Sequence, residues 1–139
     1  MKNKIFYVFM FSFLLFGCKP YSGVVWQEYQ PELMSQAVQS GQPVVAYFYA
    51  AWCGPCHAMK EYTFSDPRVI EALSGFTRIK VDMSFIHSKK IVEIADRYHV
   101  ESFPTVIFLD QKGDEVFRTR GFLSADALLN RLNQYRDKM

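Results

Sequence analysis

The chain is 139 residues long, half of them hydrophobic and 17% aromatic, which supplies one packed core and excludes a disordered chain. The formal charge of +2 includes Lys2 and Lys4; without them 14 of the 16 basic residues remain against 14 acidic ones, scattered along the chain, so no nucleic-acid-binding face is expected. Three cysteines, Cys18, Cys53 and Cys56, are too few for a small domain stapled by structural disulfides and point to one reactive pair plus one residue with a separate role.

From the N-terminus, residues 1–4 carry two lysines and no acid, residues 5–16 are apolar except for Ser12, and Gly17-Cys18 closes the run. A basic start, an apolar stretch of about 7–15 residues and a small residue at the cut describe a secretory signal peptide. The run is shorter than the roughly 20 residues of a membrane span. The ending Leu15-Phe16-Gly17-Cys18 is similar to the lipobox of bacterial lipoproteins. That resemblance implies a lipoprotein signal peptide over residues 1–17, acylation of Cys18, and a lipid anchor holding the protein on the periplasmic face of a bacterial membrane. Lys19 stands where many Gram-negative lipoproteins carry an acidic inner-membrane retention signal, which favours the outer membrane. A plain signal peptide or an uncleaved anchor, with a periplasmic or extracellular protein, is the alternative.

Residues 18–23 read as a tether, and residues 24–139 as one domain. Val24-Val25-Trp26 predicts an edge strand. Leu33, Met34, Ala37 and Val38 have helical spacing over residues 31–38, and Gly41 and Pro43 end that helix. Residues 44–51 are continuously apolar, which predicts a central strand buried on both faces with parallel neighbours. Trp52-Cys53-Gly54-Pro55-Cys56 follows, and a helical pattern runs on through Met59 and Tyr62. Asp66-Pro67 reads as an N-cap and first-turn proline, opening a helical piece through Ala72 and Leu73. A strand over 76–81 and a helix over 84–99 come next, the helix with Ile91, Ile94, Ala95 and Tyr98 on one face. Residues 105–109 and 115–120 predict two strands of a hairpin turning at 111–114. A closing helix over 124–136 turns Leu128, Leu129 and Leu132 inward. The order βαβαβαββα is that of an α/β protein with a mixed central sheet and helices on both faces.

Two cysteines separated by two residues can close a small reversible disulfide. At a helix N-terminus the first of them faces unpaired N–H groups and the positive end of the helix dipole, which favour thiolate over thiol. The thiolate is the attacking species in disulfide exchange. Cys53 is therefore expected to be an exposed nucleophile and Cys56, one turn further, the resolving thiol. Pro55 suits the first helical turn because its missing N–H costs nothing there. A zinc site is the weaker reading, since two cysteines and the adjacent His57 fall short of four ligands. A purely structural disulfide closing so small a loop would stabilise little. His57 is either a tuning charge or an exposed bystander, and His87 and His99 stand alone.

Trp52-Cys53-Gly54-Pro55-Cys56 is similar to the active-site sequence of thioredoxins, and Ser102-Phe103-Pro104-Thr105 sits where that family has its cis-proline loop. The resemblance implies a thioredoxin fold, with Trp52, Gly54 and Pro55 forming the active-site loop around Cys53 and Cys56. It also implies that Pro104 is cis beside the cysteines and that the Phe103 backbone pairs with an extended substrate strand; an ordinary trans proline is the alternative. Tyr62-Thr63-Phe64-Ser65-Asp66-Pro67 and Thr119-Arg120-Gly121-Phe122 resemble the C-terminal thioredoxin-like domain of the DsbD family of transmembrane thiol reductases, a likeness covering about residues 30–136. Two positions depart from these families. Tyr47 replaces the buried Asp that thioredoxins carry six residues before the first cysteine, and Lys60 replaces a Glu four residues after the second one in the DsbD domain.

The expected function is thiol–disulfide exchange on exported proteins, preferentially reducing them, without cofactor or metal. The resemblance implies a membrane thiol-reductant carrier of the DsbD or CcdA type as the partner that recharges the dithiol. A disulfide oxidase or isomerase is the rival within the class, and a non-catalytic binding lipoprotein the rival outside it.

Overall fold

The computed structural model describes residues 23–136; the leader, Cys18 with its expected lipid anchor, Lys19 and residues 137–139 lie outside the described residues. In chain order the elements are β1 (Gln27–Glu28), α1 (Pro31–Gln39), β2 (Val44–Tyr49), α2 (Gly54–Ala58) and a π-helical turn (Met59–Thr63). They continue with α3 (Pro67–Ala72), β3 (Thr77–Asp82), α4 (Lys89–Tyr98), β4 (Thr105–Leu109), β5 (Glu115–Arg120) and α5 (Ala125–Arg136). The five strands form one mixed sheet in the order β1-β3-β2-β4-β5.

β2 is central and buried on both faces, because its side chains alternate between two apolar layers. Val44, Ala46 and Phe48 join Ile79, Val81 and Ile107 against Met34 and Ala37 of α1 and Ile94 of α4. Val45 and Tyr47 join Val106 and Phe108 against Met59, Phe64, Val69, Leu128 and Leu132 on the opposite face. The helices thus lie on both faces of a mixed sheet, the thioredoxin fold. One expectation for β2 needs correction: it is parallel to β3 but antiparallel to β4. A continuous apolar run reports burial on both faces, and β4 is as buried as β2, so burial carries no information on strand direction.

Other boundaries shift for local reasons. The first pairing falls on Gln27 and Glu28, which lie parallel to β3, rather than on residues 24–26. Val24 is buried and donates its N–H to the Phe64 carbonyl at 2.8 Å, while the Trp26 ring packs on Phe64 and Tyr47. These apolar side chains serve the core instead of a ladder. After α2 the helix widens, with the Phe64 N–H reaching back five residues to the Met59 carbonyl at 2.9 Å. Asp66 caps α3, its carboxylate accepting the Arg68 N–H at 2.8 Å. The fourth helix starts at Lys89, capped by Ser88, and not at Ser84. Ser84 instead serves the active-site loop.

Candidate active site

β2 delivers the chain through Ala50, Ala51 and Trp52 to Cys53, whose N–H donates to the Ala50 carbonyl at 3.1 Å. Cys53 is the N-cap of α2, with φ −89° and ψ 106°. Its sulfur accepts the Cys56 N–H at 3.2 Å, and its carbonyl accepts the N–H groups of Cys56 and His57. Pro55 occupies the first turn, where no donor is lost. The two cysteines are joined in a disulfide with their Cα atoms 5.3 Å apart. Cys53 is only 6% exposed against 3% for Cys56. The expected exposure of Cys53 is corrected for this oxidised state, in which both cysteines are buried while Gly54 and Pro55 remain exposed.

A second segment holds this loop in place. The Ala51 N–H donates to Ser84 Oγ at 2.8 Å, and the Trp52 indole N–H donates to the Ser84 carbonyl at 3.2 Å. Asp82 anchors Ser84 in turn, accepting its N–H at 2.9 Å and its hydroxyl in a short hydrogen bond. From the other side, His57 Nε2–H donates to the Ala51 carbonyl at 2.7 Å, which fixes the ring tautomer. The Asp82–Ser84 clasp was not legible in the sequence, because it acts across more than 30 residues; Asp-Met-Ser just past a strand was its only signal.

Tyr47 lies beneath the cysteines. Its hydroxyl donates to the Cys56 carbonyl at 3.1 Å, and its ring stacks on Tyr49 at 5.4 Å. Burial, reinforced by Tyr49, pushes the Tyr47 phenol far above its usual range, so it stays a neutral donor and cannot take the Cys56 proton. A cavity of about 260 Å³ opens beside Cys56, lined by Trp26, Tyr47, Tyr49, His57, Lys60 and Lys80 among others. Among the described residues, every ionisable side chain on that wall is a phenol, an imidazole or an amine, and none is a carboxylate. Glu28 pairs with Lys80 at 2.6 Å from the sheet edge.

The Phe103–Pro104 peptide bond is cis. Pro104 is buried, Phe103 is half-buried, and the Phe103 ring meets Trp52 edge-on at 5.9 Å. The structure therefore brings Trp52, Cys53, Gly54, Pro55, Cys56 and Phe103 together around the disulfide. His87 and His99 take no part, and among the described residues no group of three or more His, Cys, Asp or Glu side chains could hold a metal.

A family model described as a thioredoxin-like domain matches residues 30–136. The chain is 36% identical over 96 residues to a thiol:disulfide interchange protein DsbD of Actinobacillus pleuropneumoniae, covering 68% of this chain and 16% of the relative. It is likewise 36% identical over 99 residues to DsbD of Cronobacter sakazakii, covering 70% and 17%. The chain thus spans about a sixth of these relatives' length. Among solved structures, a thioredoxin from Thermus thermophilus matches with TM-score 0.66 at 29% identity, over 82% of this chain and 88% of that one. The reduced DsbD C-terminal domain of Neisseria meningitidis matches with TM-score 0.66 at 26% identity, over 74% and 90%.

Proposed function

The chain belongs to the thioredoxin-like family as a thiol–disulfide oxidoreductase, and from that premise we propose that it reduces disulfides of exported proteins outside the cytoplasm. The observation that carries this reading is the Cys53–Cys56 pair at the start of α2, clasped against Trp52 and Phe103. In the reduced protein the Cys53 thiolate attacks one sulfur of a substrate disulfide and expels the other as a thiolate. The Cys56 thiolate then attacks Cys53, releasing the second substrate sulfur and closing the Cys53–Cys56 bond. Two electrons pass from this protein to the substrate, and the expelled thiolates take up protons from solvent.

Likeness to DsbD supports the reducing direction and a periplasmic setting, in which a membrane thiol-reductant carrier of the DsbD or CcdA type returns the dithiol to its reduced state. The lipobox-like ending at Cys18 supports a lipid anchor, and Lys19 supports the outer membrane. Pro104 and Phe103 form the substrate-binding edge of the site in this reading. Insulin reduction tests the chemistry. Wild type should precipitate insulin chains in the presence of a dithiol, Cys53→Ser should be inert, and Cys56→Ser should accumulate mixed disulfides on Cys53. Equal turnover by wild type and Cys53→Ser would remove the reading. A protein found fully oxidised in cells would favour the oxidase or isomerase instead.

A further inference from the structure

Resolution of a mixed disulfide needs a thiolate at Cys56, which is buried and cannot pass its proton directly to bulk solvent. An acceptor on the cavity that Cys56 lines is therefore required. On β2, Tyr47 is a neutral donor committed to the Cys56 carbonyl, and burial lifts the Tyr49 phenol as well. Lys80 on β3 and Lys60 on the π-helical turn carry ammonium groups, which donate and do not accept. The neighbouring acids lie off this wall and are engaged, Glu28 with Lys80 and Asp82 with Ser84. His57 is different. Its Nε2–H is committed to the Ala51 carbonyl at 2.7 Å, which leaves the lone pair on Nδ1, and among the described residues no donor bonds to that atom. The ring lines the same cavity as Cys56 and is exposed to solvent.

We propose that His57 Nδ1 is the proton acceptor for Cys56 in the resolving step, reached through water in the cavity that the two residues share. This rests on the reading of the protein as a dithiol–disulfide exchange enzyme and adds one residue to its machinery. Side chains of adjacent helical residues do not face each other, so the transfer runs through the cavity and not through a direct bond. At about 260 Å³ the cavity has room for water, with the Tyr47 hydroxyl and the lysine ammonium groups as polar partners. The proton of the Cys56 thiol moves to Nδ1 and leaves a thiolate–imidazolium pair across the cavity. The thiolate then attacks the Cys53 sulfur. The bond from Cys53 to the substrate sulfur breaks, and that sulfur departs with the electron pair. The imidazolium finally gives its proton to solvent. The Ala51 carbonyl has two uses in this scheme: it ties the ring to the active-site loop and keeps the free lone pair on Nδ1.

The test mixes reduced protein in a stopped-flow instrument with an equimolar nitrobenzoate disulfide, whose two coloured thiolates report attack by Cys53 and then resolution by Cys56. His57→Gln keeps a donor for the Ala51 carbonyl but loses the acceptor. At pH 7 it should slow the second release about 100-fold relative to the first, the lower end of a general base's contribution. The deficit should close in alkaline solution, as Cys56 ionises unaided beyond the ~8.5 of a free cysteine. A merely structural role would leave a deficit of the same size at every pH. Proton NMR reads the coupling with His57 intact. In Cys53→Ser protein the His57 ring should titrate in two steps, and in one step once Cys56 is alkylated. A pH-independent deficit in His57→Gln, no deficit at all, or a single-step titration before alkylation overturns the proposal. Wild type that releases neither thiolate overturns the exchange reading itself, a different result from a variant that releases the first alone.

Discussion

Tyr47 stands where thioredoxins carry a buried acid, and its consequences are electrostatic as well as structural. It holds the Cys56 carbonyl through a neutral hydroxyl, so Tyr47→Phe should cost about 1 kcal/mol in denaturant unfolding, the usual worth of one such bond. Lys60 has the same electrostatic direction. It lines the cavity beside Cys56 at a position where the related domain carries an acid, and among the described residues the cavity wall holds no carboxylate to oppose a thiolate. The reduced pair is thereby favoured, and the reduction potential should lie above the ~−270 mV of thioredoxin. Lys60→Glu should lower it by up to about 20 mV, the equivalent of one solvent-screened charge. Equilibration against glutathione reads both; a wild-type value at or below thioredoxin's, or a rise in Lys60→Glu, would contradict this assignment. Both substitutions were visible in the sequence as departures from a pattern. The hydroxyl bond to Cys56 was not, because it joins a β2 side chain to the backbone of α2 and only the packing of that helix on the sheet brings the two together.

Among the elements, α3 shows how a helix end reports on the whole. Asp66 caps it, and Arg68 answers with hydrogen bonds to the same carboxylate and a 2.8 Å ion pair to Asp126 on α5. The Arg68 side chain, aided by backbone N–H groups, holds the Asp66 carboxyl below the usual carboxylate range. Arg118 does the same for Glu115 on β5. A carboxyl depressed in the folded state contributes stability that is complete above its unfolded value, near 4, and is lost as pH falls through the folded value. Melting temperature should therefore decline below about pH 4. Asp66→Ala should lower it by a few degrees at neutral pH and flatten its acid slope; an unchanged slope would show that the carboxylate is not linked to folding. This cap was legible, since Asp-Pro ahead of an apolar pair has few other uses. The start of α4 was not. Ser84 and Ser88 are equally good caps by sequence, and only the tertiary bonds from Ala51 and Trp52 decide that Ser84 belongs to the active-site loop.

At the scale of the whole molecule, the alternation of apolar segments and turn residues made the order of elements and the two-faced burial of β2 readable. Strand direction was less so, because β2 and β4 are equally apolar while one has a parallel and the other only antiparallel neighbours. The site follows from this topology. The C-terminal end of the central strand, the start of α2, the end of β3 and the loop before β4 converge there, from segments more than 50 residues apart in sequence. All of it serves one sulfur. Cys53 accepts a backbone N–H at the mouth of a helix, and in the proposed reading that placement favours it as the attacking thiolate. The direct measurement is the rate of iodoacetamide alkylation of reduced Cys56→Ser protein between pH 4 and 10. A titration midpoint at or below about 7 is expected, well under the ~8.5 of a free cysteine; a midpoint at 8.5 or higher would contradict it.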